Sequence, residues 1–202
     1  MKSNLVTLFT FILFCTLTAC SKNDKVTYKV GQSYGGGIVA YVDSSGQHGL
    51  IAASLDQTIN STSPYYTGTG IMWQVGTFTG NSTVFDVTNA IGVGIGAGKT
   101  NTSLIIAKQT STGRPFAAAA IAVAYNGGGF SDWVLPSKGE LNQLYVNRVA
   151  IGGFESARYW SSTEKNEWYA ESLDFATGNF DSIGGYKGPG GTPYKVRAVR
   201  YF

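Results

Sequence analysis

The chain has 202 residues, of which only 13% are charged, whereas a typical soluble domain carries about 25% charged residues. Its formal net charge of +3 comes without a basic cluster, which argues against nucleic-acid binding, and its 43% hydrophobic content argues against a disordered chain. Glycine (27 residues) and aromatic residues (13%) are abundant, so we expect a globular body with β-structure and many turns.

The N-terminal residues predict an export signal with a site for lipid attachment. Lys2 precedes an apolar run over residues 5–14, which is shorter than the roughly 20 apolar residues of a membrane-spanning helix. The tetrad at residues 17–20 (LTAC) resembles a bacterial lipobox. This resemblance implies that residues 1–19 are removed as a signal peptide and that Cys20 is acylated. An ordinary signal peptide with a chance cysteine is the alternative.

The two cysteines therefore have no structural role in the mature body. Cys15 lies within the predicted signal peptide and Cys20 is the predicted lipid-attachment site. The body would contain neither a disulfide nor a free thiol, which argues against thiol catalysis and cysteine-ligated zinc. We expect a lipidated cysteine and short tether over residues 20–30, followed by a single domain over residues 31–202.

The first part of the body predicts a β-hairpin and then an irregular region. Apolar runs at residues 38–43 and 48–53 are joined by the turn-forming residues 44–47. Residues 56–83 are rich in Ser, Thr, Gly, Tyr and Asn, so we expect an irregular surface region with an exposed Trp73. Residues 92–100 (GVGIGAGKT) depart from the phosphate-loop spacing, and we interpret them as a flexible glycine-rich loop.

Two main helices and several strands are predicted in the second half. The alanine-rich residues 114–125 favour a helix, and a second helix starts at Ser137, because Ser137 and Glu140 have the spacing of a capping box. This second helix is expected to end at Gly152-Gly153, and its packing positions at helical spacing are Leu141, Leu144, Tyr145 and Val149. Strands are expected at three places: residues 159–163, 167–175 and 194–202. Two helices packed on mostly antiparallel, loop-rich sheets give an α+β fold.

The C-terminal third carries motifs that belong together in one known family. In chain order they are WVLPS at 133–137 with EL at 140–141, YWSST at 159–163, Trp168 with DF at 174–175, and VRAVR at 196–200. Over residues 127–202 these motifs resemble the bacterial family with the Lcl-type C-terminal domain, a domain of unknown function. Upstream, residues 36–43, 48–51 and 101–102 are similar to family members with an extended N-terminal half.

This resemblance implies a C-type-lectin-like fold. One relative, the C-terminal domain of a collagen-like adhesin, binds sulfated glycans. The present sequence lacks the Glu-Pro-Asn, Gln-Pro-Asp and Trp-Asn-Asp triplets of calcium-dependent sugar lectins, and it lacks their disulfides. We therefore expect no calcium-mediated sugar binding, no metal site and no cofactor.

Together, the anchor and the resemblance predict a lipoprotein of the bacterial outer membrane that faces the periplasm or the cell surface. Its body would be a non-catalytic module that binds a glycan or another surface ligand. A structural or assembly module that binds envelope proteins is one alternative. A polysaccharide hydrolase that uses two carboxylates is another, although no motif favours it.

The candidate ligand contacts are Trp73, Trp168, Arg197 and Arg200. Indole faces stack on sugar rings, and guanidinium groups bind sulfate or carboxylate bidentately. The two arginines could equally form internal ion pairs, which is the interpretation that we favour, and the indoles of Trp133 and Trp160 are expected in the core.

The remaining polar candidates have structural interpretations. His48, the only histidine, is interpreted as structural because a general base needs a partner within reach. Among the acidic residues, Glu140 is expected to cap its helix and Asp132 to pair with an arginine or a turn amide. The sequence spacing of these residues with Glu164 and Asp174 does not show converging metal ligands.

Overall fold

A computed structural model describes residues 26–58, 70–74, 77–79, 82–110, 118–188 and 190–202. The predicted signal peptide, the lipobox and Cys20 lie outside these described residues. So does the start of the predicted helix over residues 114–125. Within the described ranges, no helix combines the length and the apolar character that a bilayer crossing requires.

The described ranges contain four helices and nine strands. The helices are α1 (Ala97–Thr110), α2 (Ala118–Ala124), α3 (Lys138–Val146) and α4 (Arg148–Ile151). The strands are β1 (Ser33–Tyr34), β2 (Gly37–Val42), β3 (Gly49–Ala52), β4 (Thr77–Thr79), β5 (Ser82–Val84), β6 (Arg158–Glu164), β7 (Tyr169–Asp174), β8 (Gly185–Tyr186) and β9 (Val199–Tyr201). The predicted α+β class is confirmed.

The first sheet joins the two ends of the described chain. Its four strands have the order β1-β2-β3-β9, and every neighbouring pair is antiparallel. The β2–β3 pair confirms the predicted hairpin. In the β3–β9 pair, Leu50 lies opposite Tyr201 and Ala52 lies opposite Val199. The C-terminal residues are thereby held beside the turn of the N-terminal hairpin.

A second antiparallel sheet contains the strands β6-β7-β8, and β4 and β5 form a separate hairpin. Strand β6 carries the YWSST motif and pairs with β7, with Tyr159 opposite Leu173. A parallel bridge between Tyr159 and Lys195 connects this sheet to the segment that leads into β9. The strands predicted at residues 159–163 and 167–175 are confirmed.

One of two core clusters is built around tryptophans. Trp73, Trp133 and Trp160 are buried together with small residues of α2, including Ala118 and Ala122. The indole N–H of Trp73 donates to the carbonyl of Ser161 (2.7 Å), and that of Trp160 donates to the carbonyl of Ile71 (2.7 Å). The core positions expected for Trp133 and Trp160 are confirmed.

The exposed position predicted for Trp73 is wrong. Its side chain has no solvent exposure. A large ring is stable in the core when its single polar group has a partner, and the Ser161 carbonyl provides that partner. Trp73 therefore has no face to offer to a ligand.

The second core cluster lies between the first sheet, α3 and the second sheet. It includes Leu50 of β3, Leu141 and Leu144 of α3, and Tyr159 and Leu173 of the second sheet. Because α3 packs against both sheets, it holds their relative positions. The predicted packing positions Leu141 and Leu144 are confirmed.

Helix α1 corrects the interpretation of residues 92–100 as a flexible loop and adds a long helix to the two that were predicted. Ala97–Thr100 form its first turn, and its buried face includes the polar residues Asn101 and Thr102. The Asn101 amide donates to the Gly92 carbonyl (2.7 Å) and accepts from the Gly92 N–H (3.0 Å). A helix that buries polar side chains lacks the apolar periodicity by which helices are recognised.

Helix α3 begins as predicted but ends earlier. Glu140 accepts from the Ser137 N–H (2.8 Å) and the Ser137 hydroxyl accepts from the Glu140 N–H (3.3 Å), which confirms the capping box. The helix ends at Val146, and the short α4 follows and stops before Gly152, which has a φ of 76°. The expected packing position Val149 lies in α4 and is exposed.

Candidate functional site

An open pocket of about 550 Å³ lies where the two ends of the described chain meet. This volume is in the range of about 300–1,000 Å³ that is typical of small-ligand sites. We call it the tyrosine pocket, and its lining residues are Tyr28, Tyr34, Gly35, Gly36, Gln47, His48, Phe130, Arg200, Tyr201 and Phe202.

Backbone pairing brings the residues of the tyrosine pocket together. The Tyr28 N–H donates to the Gly46 carbonyl (2.9 Å), which fixes the start of the described chain on the β2–β3 turn. Gly49 and Phe202 exchange two backbone hydrogen bonds of 3.1 and 3.3 Å, which fix the C-terminus on the other side of that turn. Tyr28, which falls within the predicted tether over residues 20–30, thus contacts the body.

Three aromatic rings form one side of the pocket. The ring centroids of Tyr28 and Tyr34 are 4.4 Å apart, and those of Tyr28 and Phe202 are 4.7 Å apart. Tyr34 and Phe202 are 5.6 Å apart and meet edge to face. Because the rings contact one another, they form one continuous apolar surface, which we call the aromatic wall. It is open to solvent, since Tyr34 is 39% exposed.

Arg200 also lines the pocket, and its side chain is held in a fixed geometry. Its Nε and Nη2 donate to Oδ1 and Oδ2 of Asp132 (2.7 and 2.9 Å), and its Nη1 donates to the Gly35 carbonyl (3.1 Å). The guanidinium carbon also lies 3.8 Å from the centroid of the Phe130 ring. The hydrogen bond from Arg200 lowers the pKa of the Asp132 carboxyl. The Asp132 carboxylate thus balances the charge of the guanidinium, and three hydrogen bonds fix its orientation.

Glycine at position 35 allows this arrangement. Gly35 has a φ of 54°, in the left-handed region, and a Cβ built there would lie 2.6 Å from Nη1 of Arg200. Gly36 follows with a φ of 82°, and together they form the tight turn between β1 and β2. A side chain at position 35 would displace the arginine that borders the pocket.

Polar groups border the aromatic wall. His48 is exposed and Gln47 is partly exposed, and their side chains can donate and accept hydrogen bonds. The Tyr28 and Tyr34 side chains are linked, since a hydrogen bond with Tyr34 raises the pKa of Tyr28. An apolar surface bordered by a few hydrogen-bonding groups is the usual composition of a binding site for a small polar ligand.

Of the predicted candidates, Arg197 lies in the interior and is not part of the pocket. Its side chain has no exposure, and its Nε donates to Oδ1 of Asp56 (2.7 Å). Nη1 donates to the carbonyl of Ala53 (3.0 Å), and the Tyr159 hydroxyl donates to Oδ2 of Asp56 (2.8 Å). Burial raises the pKa of Tyr159. The internal ion-pair interpretation of Arg197 is confirmed, and the residue is inaccessible to a ligand.

Trp168 is exposed but lies apart from the tyrosine pocket. It precedes β7, its side chain is 40% exposed, and its indole N–H donates to Oε1 of the neighbouring Glu167 (2.7 Å). Its ring meets Phe85 edge to face at 5.8 Å. Trp168 therefore remains a separate candidate contact, and of the four predicted candidates only Arg200 lines the pocket.

The acidic residues singled out in the sequence have structural partners. Glu140 accepts from the Gly96 N–H and the Tyr201 hydroxyl (2.7 Å each) in addition to its capping bond. Glu164 accepts from Lys187 Nζ (2.7 Å) in an ion pair whose two side chains are 0% and 2% exposed. Asp174 accepts from the Ala176 N–H (2.8 Å). Among the described residues, no group of three His, Cys, Asp or Glu side chains is placed to hold a metal ion.

Sequence reasoning missed most of the pocket. The sequence indicates a structural role for His48 and places Tyr28 in the tether, and no motif marks Tyr34, Phe130 or Phe202 as a ligand contact. The signal that could have found them is the concentration of aromatic residues at the two ends of the predicted body, since the first hairpin and the last strand pair in one sheet.

No protein-family model matches the chain, and no curated protein is detectably similar to it in sequence.

Proposed function

We propose that this protein is a lipid-anchored lipoprotein of the bacterial outer membrane whose body is a non-catalytic module that binds a glycan at the tyrosine pocket. The observation that carries the proposal is the aromatic wall. Tyr28, Tyr34 and Phe202 present a continuous ring surface in an open pocket bordered by hydrogen-bonding side chains. The C–H face of a sugar ring packs on such a surface, and the sugar hydroxyls bond to the polar border.

The lipid anchor at Cys20 is part of this proposal. Tyr28 lies eight positions after Cys20, so the extended chain between them spans at most about 29 Å. The body would therefore stay close to the membrane that holds the acyl chains, whether it faces the periplasm or the cell surface. Several acyl chains give stable anchoring, because each buried CH₂ contributes about 0.8 kcal/mol.

The C-type-lectin-like fold and the membership of the Lcl-type family are also proposals. They are supported by the α+β architecture and by the structural roles of the motif residues. Trp133 and Trp160 are core residues, and Arg197 and Arg200 of the VRAVR motif each form an ion pair.

A non-catalytic role is supported by the hydrogen bonds and ion pairs that occupy the carboxylates. Glu140, Glu164 and Asp132 are engaged by helix amides, a buried lysine and an arginine, respectively. A glycosidase needs one carboxyl group free to give up a proton and a second about 5–9.5 Å away. These three carboxylates instead hold the fold together.

A glycan array with matched variants tests the proposed function. The full-length chain would be applied in a detergent without a sugar headgroup, as wild type, Tyr34→Ala and Trp168→Ala. We expect array signals that Tyr34→Ala removes and Trp168→Ala preserves, because both variants lose one exposed aromatic ring but only Tyr34 lines the pocket. Signals that survive Tyr34→Ala, or no signal at all, would refute the pocket as a glycan site.

An assembly module that binds an envelope protein is the second candidate function, and one observation favours it. Ile91, Val93 and Ile95 are 70%, 56% and 45% exposed, with only glycines between them. Their backbone is fixed, since the Val93 carbonyl accepts from Gly139 N–H and the Gly94 carbonyl accepts from the Ser137 hydroxyl (2.7 Å each). Exposed aliphatic residues on a fixed backbone are typical of a contact surface for another protein.

A photo-crosslinking residue at position 93 tests this second function, with position 149 as the matched control because Val149 is also apolar and exposed. In cells, an assembly module would give one defined adduct from position 93 and none from position 149. Equal labelling from both positions would exclude a specific partner at this loop.

A further inference from the structure

We propose that the ligand of the tyrosine pocket is an uncharged saccharide, and that the pocket discriminates against sulfated and carboxylated sugars. This inference rests on the proposed function and specifies its ligand. It starts from the charges that border the pocket, and it differs from the alternative in which arginines of the last strand bind sulfate.

The single arginine that lines the pocket already has a carboxylate partner. Nε and Nη2 of Arg200 are engaged by both oxygens of Asp132, and Nη1 is engaged by the Gly35 carbonyl. An incoming sulfate would have to compete with the Asp132 carboxylate, which lies within hydrogen-bonding distance of the same guanidinium. The charge of Arg200 therefore gives no net attraction for an anionic ligand.

A second carboxylate lies in the turn that carries His48. Asp43 begins the turn that carries Gln47 and His48, and its N–H donates to the His48 carbonyl (2.8 Å). The hydrogen bond from the Ser45 hydroxyl (2.5 Å) lowers the pKa of Asp43, so its carboxylate is charged at neutral pH. Lys29 and Lys99 lie near the pocket but are not among its lining residues. The lining itself therefore offers a sulfate group no unpaired lysine or arginine, because its arginine is paired with Asp132.

The ring geometry also argues against a quaternary ammonium ligand. A cation cage needs ring faces on several sides of an empty space. Here the centroids of Tyr28, Tyr34 and Phe202 are 4.4–5.6 Å apart, so the rings fill the space between themselves. They offer one continuous surface of ring faces and edges, on which the C–H face of an uncharged sugar ring can pack.

The array signals of the full-length protein, sorted by ligand charge, test this inference. We expect signals from uncharged oligosaccharides that are lost in Tyr34→Ala, with the dissociation constant of the best one rising about tenfold or more. That constant should change less than about twofold between about 50 mM and about 500 mM NaCl, because no ion pair is formed. Signals only from sulfated or carboxylated glycans that depend on Tyr34 would overturn the inference but leave the proposed function intact. No signal that depends on Tyr34 would overturn the proposed function itself.

Asp132→Asn provides a gain-of-binding test on the same array. The variant removes the carboxylate that matches Arg200, so we expect binding of sulfated glycans to increase about fivefold or more at low salt. Unchanged binding of the uncharged ligand would show that the pocket is intact. If sulfated glycans bind the variant no better while the uncharged ligand still binds, the charge-matching argument is wrong. If the variant loses all binding, the wild-type array decides the question.

Discussion

Arg200 and Asp132 are joined by two parallel hydrogen bonds of 2.7 and 2.9 Å across 68 residues of sequence. The pair connects the last strand to the segment before α3 and fixes one border of the tyrosine pocket. The two side chains differ in exposure: that of Asp132 is 55% exposed and that of Arg200 only 11%. The pair thus has a modest role in stability and a larger one in shaping the pocket.

The first prediction concerns the pH dependence of stability. The pKa of Asp132 is lower in the folded protein than its ordinary value of 3.8, because of the hydrogen bond from Arg200. The ion pair therefore stabilises the fold above pH 3.8, and this stability is lost as the pH falls through the lowered pKa. Urea unfolding at several pH values between 5 and about 2 should show a smaller loss for Asp132→Asn than for wild type. The difference should not exceed about 1 kcal/mol, because the carboxylate is largely exposed. If the free energy of unfolding falls equally with pH in the two proteins, the ion pair does not stabilise the fold in this way.

The second prediction concerns the glycine beside the pocket. Gly35→Ala should destabilise the protein by about 2 kcal/mol or more, because alanine is strained at positive φ and its Cβ would collide with Arg200. Gly129→Ala is the matched control, since Gly129 has a φ of 79° and open space around its Cβ position. It should cost only about 1 kcal/mol. Thermal or urea unfolding measures both, and equal effects would show that the contact with Arg200 is unimportant.

The third prediction concerns the buried ion pair between Lys187 and Glu164. Lys187→Met should cost about 3–5 kcal/mol, because it leaves the buried Glu164 carboxylate without its cation. A double variant that adds Glu164→Gln to Lys187→Met should recover part of the lost free energy of unfolding. Its neutral amide oxygen still accepts from the N–H of Thr88 or Asn89. Urea unfolding of both variants measures the recovery. A double variant less stable than Lys187→Met would contradict the account.

The fourth prediction concerns the lipid anchor. Cys20→Ser should abolish incorporation of labelled palmitate in cells, because the acylated thiol is absent. Cys15→Ser is the control, since Cys15 lies within the predicted signal peptide, and it should leave both labelling and membrane fractionation unchanged. Labelling of Cys20→Ser at the wild-type level would exclude acylation at this residue.

Features set by neighbouring residues could be predicted from the sequence. The capping box needs only Ser137 and Glu140, and the β2–β3 hairpin needs two apolar runs and a turn, so both were predictable. Helix α1 was not, because its buried residues Asn101 and Thr102 make their contacts with Gly92 and Leu135. A polar residue is recognised as buried only when its distant partner is known.

The candidate site depends on contacts that are even more distant in sequence. The position of Trp73 is set by the Ser161 carbonyl, 88 residues away, so composition alone placed it wrongly on the surface. The tyrosine pocket combines Tyr28 with Phe202, and it exists only because β3 pairs with β9. The sequence favours an ion pair for Arg200 and a partner for Asp132, but it does not show that the two pair with each other beside the pocket.

The most direct test of the central claim is a backbone amide chemical-shift titration of the protein with the strongest ligand from the glycan array. The account predicts that the largest shifts occur at residues of the tyrosine pocket, such as Tyr34, His48 and Phe202, and that Tyr34→Ala abolishes them. Shifts centred on Trp168 and Tyr186, with the pocket unchanged, would contradict the claim that the glycan binds at the tyrosine pocket.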